Sequence, residues 1–230
     1  MAKPLRPRPS GKKSPRPAPR GAGLPRDVED ELRRTARPGR ADDARARLGR
    51  AVELLERGDA KGAAAEAEKA KGLASRSPTV REVLGMALYR LERFPQALSE
   101  LQTYRRMSGR RDQNHLIADS LRATGKLDRV VPVVEEALHA RIPNESKAEA
   151  AVVGASALAD LGRYEEALAL LRRAKTNDDV GRDYVLRLWY VTGDILERAG
   201  RPKEAAEQFR KIMRHDPGVF DTAERASRLA

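Results

Sequence analysis

A polar turn returns five times along this chain. It carries Gly58, Glu92, Gly125, Gly162 and Gly200, at intervals of 34, 33, 37 and 38 residues. About five positions after each turn stands a small apolar residue: Ala63, Ala97, Val130, Ala167 and Ala205. Self-similarity at such a period points to stacked supersecondary units, none of which can bury its apolar face alone. The expected fold class is therefore all-α, an array of helical hairpins. Arrays of this kind bind far more often than they catalyse.

The best-preserved copy runs from Tyr184 to Pro217 and holds Trp189, Gly193, Leu196, Gly200, Ala205, Phe209, Asp216 and Pro217. Trp189 and Gly193 are one helical turn apart and share a face. The first helix must reverse at Ala199-Gly200-Arg201, and Pro202 then suits a first helical position, where its missing N–H costs nothing. Ala205 and Phe209 share a face of the second helix, and Pro217 ends the hairpin. The other copies give Leu84, Gly85, Leu88, Phe94, Ala97 and Leu101; Ile117, Ala118, Leu121, Gly125, Leu127, Val134 and Ala137; and Gly154, Ala155, Leu158, Gly162, Tyr164, Ala167, Leu171 and Ala174. The first copy is sparse, with Leu54, Gly58, Ala63, Ala67 and Ala70.

Residue by residue, this pattern resembles the tetratricopeptide repeat. The resemblance spans residues 44–217, in copies of about 44–77, 78–110, 111–147, 148–182 and 184–217. It implies a right-handed α-solenoid. In each copy a first helix, A, lines a concave face and a second helix, B, backs it. Residues 218–230 read as a capping helix, or as a truncated sixth A helix that could open a dimer contact, with Phe220 and Leu229 turned inward and Arg225 and Arg228 outward. Pro132 falls inside the expected B helix of the third copy, which should begin near Asp128 and be slightly distorted. The wider spacings around 139–147 and 175–183 imply enlarged loops.

Charge is concentrated at one end. Residues 1–26 hold eight Lys or Arg, seven Pro and no Asp or Glu, while residues 27–230 hold 38 basic and 34 acidic residues. The Pro/Arg/Lys-rich segment cannot bury enough apolar surface to fold and should form a disordered, partly polyproline tail. Residues 27–43 read as a short helix and linker. Acids precede bases along the helix, as its dipole favours, and Leu24, Val28 and Leu32 are expected to dock on the first hairpin rather than form an independent binding motif.

Several function classes lose support. The chain has no cysteine, which removes disulfides and thiolate metal sites. His115, His139 and His215 fall in different copies without metal-ligand spacing. Ser156 lacks a nucleophile elbow around it and lies on a helix. Glu165-Glu166 and Asp178-Asp179 are sequence neighbours whose side chains diverge. No Gly-rich phosphate loop is present. No catalytic residue, metal or cofactor is expected. No apolar stretch approaches a membrane span, and the cationic start lacks the apolar segment of a secretory signal. A cytoplasmic protein is expected. Arginine outnumbers lysine 35 to 11, which with the abundant alanine fits a GC-rich bacterial source.

The resemblance also implies where a partner docks. Positions on the concave A-helix face are Met86, Tyr89 and Arg90; His115, Asp119 and Arg122; Val152, Ser156 and Ala159; and Arg187, Tyr190, Asp194 and Glu197. The first reading is a scaffold or adaptor that holds a protein partner, a peptide or helix, against these residues. The alternative is a nucleic-acid- or ribosome-associated protein. There the tail, through Lys3, Arg6, Arg8, Lys12, Lys13, Arg16 and Arg20, makes weak, salt-sensitive contacts with RNA or DNA phosphates. The tail has no interleaved aromatics to stack on bases. It could also visit Asp119, Asp194 and Glu197 within the chain, carboxylates that Arg122, Arg187 or Arg198 would balance. Relatives that hold the acidic C-terminus of heat-shock chaperones place Lys and Asn at clamp positions. Here those positions carry His115 and Asp119, or Glu82 and Met86, so carboxylate-clamp binding is not expected.

The spacing yields a first test. Ala97→Arg and Ala205→Arg force a long charged chain into a helix–helix contact. Overpacking alone costs ~1–3 kcal/mol and the buried charge adds to it. Each variant should lose a cooperative thermal melt, and a wild-type melting curve from either would contradict the assigned phase.

Overall fold

The computed structural model describes residues 23–174 and 182–229. The described residues form twelve α-helices and one 3-10 turn, with no strand. They divide into two compact units, 23–124 and 125–229. No described helix is long and apolar enough to cross a membrane.

The first unit starts with α1 (Arg26–Thr35), followed by the pairs α2 (Ala41–Glu56) with α3 (Ala60–Leu73) and α4 (Pro78–Arg90) with α5 (Phe94–Ser108), and then α6 (Asn114–Ala123). The second contains α7 (Val130–His139), the pair α8 (Asn144–Asp160) and α9 (Tyr164–Arg173), the pair α10 (Asp183–Arg198) and α11 (Pro202–Met213), and α12 (Thr222–Arg228). Within each unit every helix packs on its sequence neighbour, and the first helices of successive pairs also touch: α2 with α4, α4 with α6, α8 with α10. This is the hairpin array the period implied.

The turns work through backbone geometry. Gly58, Gly125, Gly162 and Gly200 all have φ between 74° and 83°, and Glu92 adopts φ 59°. In four of the five turns two hydrogen bonds close the helix end. At the last, Gly200 N–H donates to Glu197 O (3.0 Å) and Arg201 N–H to Leu196 O (2.9 Å); Asp59, Arg93 and Arg163 repeat the longer bond to Leu54, Leu88 and Leu158. This is the Schellman arrangement, which satisfies carbonyls that would otherwise be orphaned and needs a left-handed residue. At four turns glycine supplies it; at the second, Glu92 is forced into it.

Ala63, Ala97, Val130, Ala167 and Ala205 are all fully buried. Close contacts between helices lie where an A-helix glycine meets a B-helix side chain. A Cβ on Gly85 would stand 2.6 Å from Leu101, on Gly154 2.7 Å from Leu170, and on Gly193 2.8 Å from Phe209. These separations leave no room for a methyl group.

Prolines fall where helices have N–H groups to spare. Pro78, Pro95 and Pro202 sit at the first or second position of α4, α5 and α11. The expected distortion at Pro132 is corrected. A 3-10 turn, Leu127–Arg129, occupies the place where the helix was expected to begin, and α7 starts at Val130. Pro132 is thereby in the first turn, where no intrahelical N–H bond is lost. The enlarged loop at 139–147 is also corrected: only 140–143 connect the helices, because α8 extends back to Asn144. The corresponding expectation at 175–183 falls mainly on 175–181, which lie outside the described residues, as does the expected tail over residues 1–22.

α1 packs against the first hairpin. Leu32 is buried, and Leu24 and Val28 pack against the same core. It also does something its sequence did not reveal. The Glu31 carboxylate accepts hydrogen bonds from Ser77 Oγ, from Thr79 N–H (3.1 Å) and from Thr79 Oγ1 (2.8 Å). Ser77 Oγ in turn accepts from Val80 N–H (3.1 Å). A carboxylate from one helix thus caps the start of α4, the end that attracts negative charge.

The expectations at the C-terminus are corrected in two places. Phe220 is 40% exposed at φ 54° and turned onto the Tyr190 ring, and Arg225 is buried rather than outward. Arg228 does face outward. His215 lies beyond the end of α11, against the Trp189 ring.

Two experiments test the packing. Gly200→Ala should lower stability by about 1–2 kcal/mol through backbone strain alone, since nothing lies within 4 Å of the added Cβ; Glu92→Gly should raise the urea midpoint. A rise from the first or a fall from the second would contradict the account of the turns. Gly193→Ala should cost about 1–3 kcal/mol by overpacking, and Phe209→Leu in the same chain should recover part of it. Strict additivity in that double-mutant cycle would rule out the contact as the cause.

Candidate functional site

The A-helix face was expected to hold the partner, and its polar side chains prove to be tied to one another. In the first unit, Tyr89 on α4 donates its hydroxyl hydrogen bond to Asp119 Oδ2 on α6, at 2.6 Å. Asp119 also faces Arg122, with 3.5 Å between Nη1 and Oδ1. Tyr89 packs edge-on against Phe94, with centroids 5.7 Å apart. Tyr89, Asp119 and Arg122 therefore form one cluster, and Met86 packs into the core beneath. Arg90 turns away from it and donates to the Leu55 carbonyl at the end of α2. His115 lies at the start of α6 with Nδ1 3.0 Å from the Asp112 carbonyl oxygen.

A second polar group sits beside this face. Gln113 donates to Glu82 (2.7 Å), and Tyr104 donates to Asp112 (2.8 Å), which also takes Arg110. Burial raises the Glu82 carboxyl above its ordinary value, and burial also raises the Tyr104 phenol, with the Glu82 charge adding to the effect. These groups brace the α5–α6 turn.

In the second unit the expected set separates. Ser156 is corrected: it is buried, its hydroxyl donates to the Val152 carbonyl (2.8 Å), and Val152 and Ala159 are buried with it. None of the three presents a docking surface. Helix α8 is too rich in alanine and valine to stay outside the packing; residues 150–159 are all buried. Arg187 pairs with Glu149 at 2.9 Å. Tyr190 and Asp194, on α10, point at α12. Tyr190 donates to Asp221 (2.8 Å), a link of the same kind as the one between Tyr89 and Asp119.

Arg225 fills the space beyond. Its Nη2 lies 3.0 Å from Asp194 Oδ1 and 2.6 Å from Glu197 Oε2, and its Nη1 donates to the Tyr190 hydroxyl at 3.2 Å. The guanidinium carbon stands 4.5 Å from the Phe209 ring centroid and 5.4 Å from that of Tyr190. Burial pulls the Arg225 pKa down, but the bonds to Glu197 and Tyr190 and the Asp194 charge outweigh it and leave it raised. Burial likewise raises the Tyr190 phenol, with the bond to Asp221 adding to it. The expected balance of Asp194 and Glu197 by Arg187 or Arg198 is corrected, because Arg225 and Arg228 take them. Arg198 pairs with Asp160 instead. The pairing of Asp119 with Arg122 stands.

Sequence reasoning missed Asp221 and Arg225. One signal was available: Tyr190 and Asp221 stand about one period apart, as Tyr89 and Asp119 do. α12 thus takes the place of a further A helix.

Elsewhere in the second unit, a cleft of about 310 Å³ opens over Leu127, Val131, Leu158 and Leu170. Its rim is neutralised by Arg163 with Glu166 and Arg173 with Glu135. No group of three or more His, Asp or Glu side chains that could hold a metal occurs among the described residues. Lys3, Arg6, Arg8, Lys12, Lys13, Arg16 and Arg20 lie outside the described residues.

Comparison with known proteins agrees with this architecture. Residues 116–217 match the family model described as tetratrico peptide repeat. Comparison with curated proteins gives no match. Among solved structures, YrrB, described as a TPR protein with an unusual peptide-binding site, is 21% identical, with TM-score 0.57 over 81% of this chain and 93% of that one. MamA from Desulfovibrio magneticus RS-1 is 19% identical, with TM-score 0.62 over 76% and 96%. TTC0263, a TPR protein of Thermus thermophilus, is 19% identical, with TM-score 0.58 over 81% and 98%. At these identities the likeness is one of fold. Residues 116–217 thus match the tetratricopeptide repeat, and the chain as a whole shares the fold of these repeat proteins.

Proposed function

We propose that the chain is a non-catalytic interaction scaffold that holds a peptide or helix of another protein against the A-helix face. The observation that carries this reading is the link from Tyr89 to Asp119 with Arg122 beside it. There an aromatic ring, a carboxylate and a guanidinium stand together, partly exposed, on two adjacent A helices. Tyrosine and arginine contribute strongly to interfaces because each buries area while keeping a polar contact. The unusual peptide-binding site of YrrB supports the same use of the fold. Asp119 and Glu82 make the face unsuited to a terminal carboxylate, which argues against a chaperone-tail clamp. A cytoplasmic setting belongs to the same reading and rests on composition.

The charge of residues 1–26 favours one second reading, in which the tail contacts RNA or DNA phosphates and the array positions a partner. One experiment separates them. Full-length chain would be immobilised and bound protein and nucleic acid identified, beside the Tyr89→Ala/Arg122→Ala variant and a chain lacking residues 1–22. The scaffold reading expects a specific protein to be lost about tenfold with the face variant, while its melting stays cooperative, and retained by the truncated chain. Capture that ignores the face but disappears with nuclease, or with the tail, would overturn it in favour of the second reading.

A further inference from the structure

α12 is tied to α10 by polar links, in which Arg225 makes the most contacts. It is seven residues long, too short to be helical without tertiary support. Its buried residues are Thr222, Arg225 and Ala226. The segment leading into it holds Gly218, whose N–H bonds to the Asp216 carboxylate (3.0 Å), and Phe220 in the left-handed region, which a bulky residue adopts only under constraint. By contrast, the surface that receives Arg225 is built from two long helices. α10 supplies Asp194, Glu197 and the Tyr190 hydroxyl, and α11 supplies the face of Phe209. Two carboxylates, one phenol and two ring faces meet a single guanidinium. That combination is specific for arginine, whose flat cation forms fork hydrogen bonds and stacks on rings, whereas lysine offers a compact, strongly hydrated charge.

We propose that this cage on α10 and α11 is a recognition site for an arginine presented by a helical segment of a partner protein, and that α12 occupies it as an internal ligand until that segment replaces it. The inference rests on the scaffold reading and names the ligand chemistry for the second unit. α12 itself displays the required pattern. Asp221 accepts from Tyr190, and Arg225, one turn later on the same side, enters the cage. Arg228 follows one turn further on and reaches Glu197 Oε1 at 2.7 Å. A partner helix carrying an aspartate, an arginine four residues on and a second cation three residues after that reproduces every one of these contacts. The acidic character of the cage suits the incoming positive charge and steers its approach.

The test uses the full chain and a labelled synthetic peptide spanning residues 214–230. Arg225→Ala vacates the cage, so this variant should bind the peptide at least tenfold more tightly than wild type, whose own α12 competes. Adding Asp194→Asn and Glu197→Gln to the variant should abolish binding, as should replacing the peptide's own copy of Arg225 by alanine. A parallel measurement on the wild type guards against a misfolded variant: excess peptide should accelerate amide hydrogen exchange within 222–228, and the alanine peptide should not. Failure of the peptide to bind a cooperatively melting Arg225→Ala chain, with unchanged exchange in the wild type, would overturn the cage assignment. Equal binding of the alanine peptide would do the same. A concentration-dependent wild-type dimer that Arg225→Ala abolishes would assign the cage to α12 of a second copy instead, and would also overturn it. Because the capture experiment above perturbs Tyr89 and Arg122 in the first unit, loss of the cage leaves that result standing, and the reverse also holds.

Discussion

The structure depends on how closely two helices of a hairpin can approach. At Gly85, Gly154 and Gly193 the A-helix backbone lies against Leu101, Leu170 and Phe209 with no room for one added carbon. Close packing of this kind lets few large side chains make a core: among the described residues, Phe209 and Tyr104 are the bulkiest that are fully buried. Alanine is the most frequent buried apolar residue among the described residues, with leucine and valine filling most of the rest; small residues gain dispersion contacts through backbone proximity rather than side-chain volume. The left-handed turns serve the same end. They reverse the chain within a few residues, so that the paired helices are antiparallel from their first turn.

The A helices also carry polar side chains that face one another. Those groups are not idle. Tyr89 with Asp119 joins α4 to α6, and Tyr190 with Asp221 joins α10 to the start of α12, each through a phenol and a carboxylate. The links preorganise rings and charges at low entropic cost, which favours binding. In the second unit the last link has been extended into a full arginine cage. A partner there must compete with the chain's own helix, whereas the cluster at Tyr89 is partly exposed on its helices.

Much of the fold was legible in the sequence because it depends on local chemistry repeated at a fixed interval. The turn glycines, the alanines after them and the first-turn prolines act within a few residues of themselves. The candidate site was less legible. Ser156 occupied the family position for a groove residue and proved buried, because the alanines and valines around it draw all of α8 into the packing. Pro132 looked disruptive because a 3-10 turn before α7 cannot be read from composition. Glu31 escaped notice and Arg225 was expected to point outward for one shared reason: each acts on residues distant in sequence, capping α4 in one case and joining α10 in the other.

The sequence alone determined the period, the hairpin, the reversal points and the small residues that permit close approach, since each follows from sterics within one copy. Only the tertiary structure decided which polar side chains face one another. That choice depends on how successive helices align, and a shift of one residue along a helix turns a side chain by about 100°. It placed Arg225 inside rather than outside, where two carboxylates and two rings repay its desolvation.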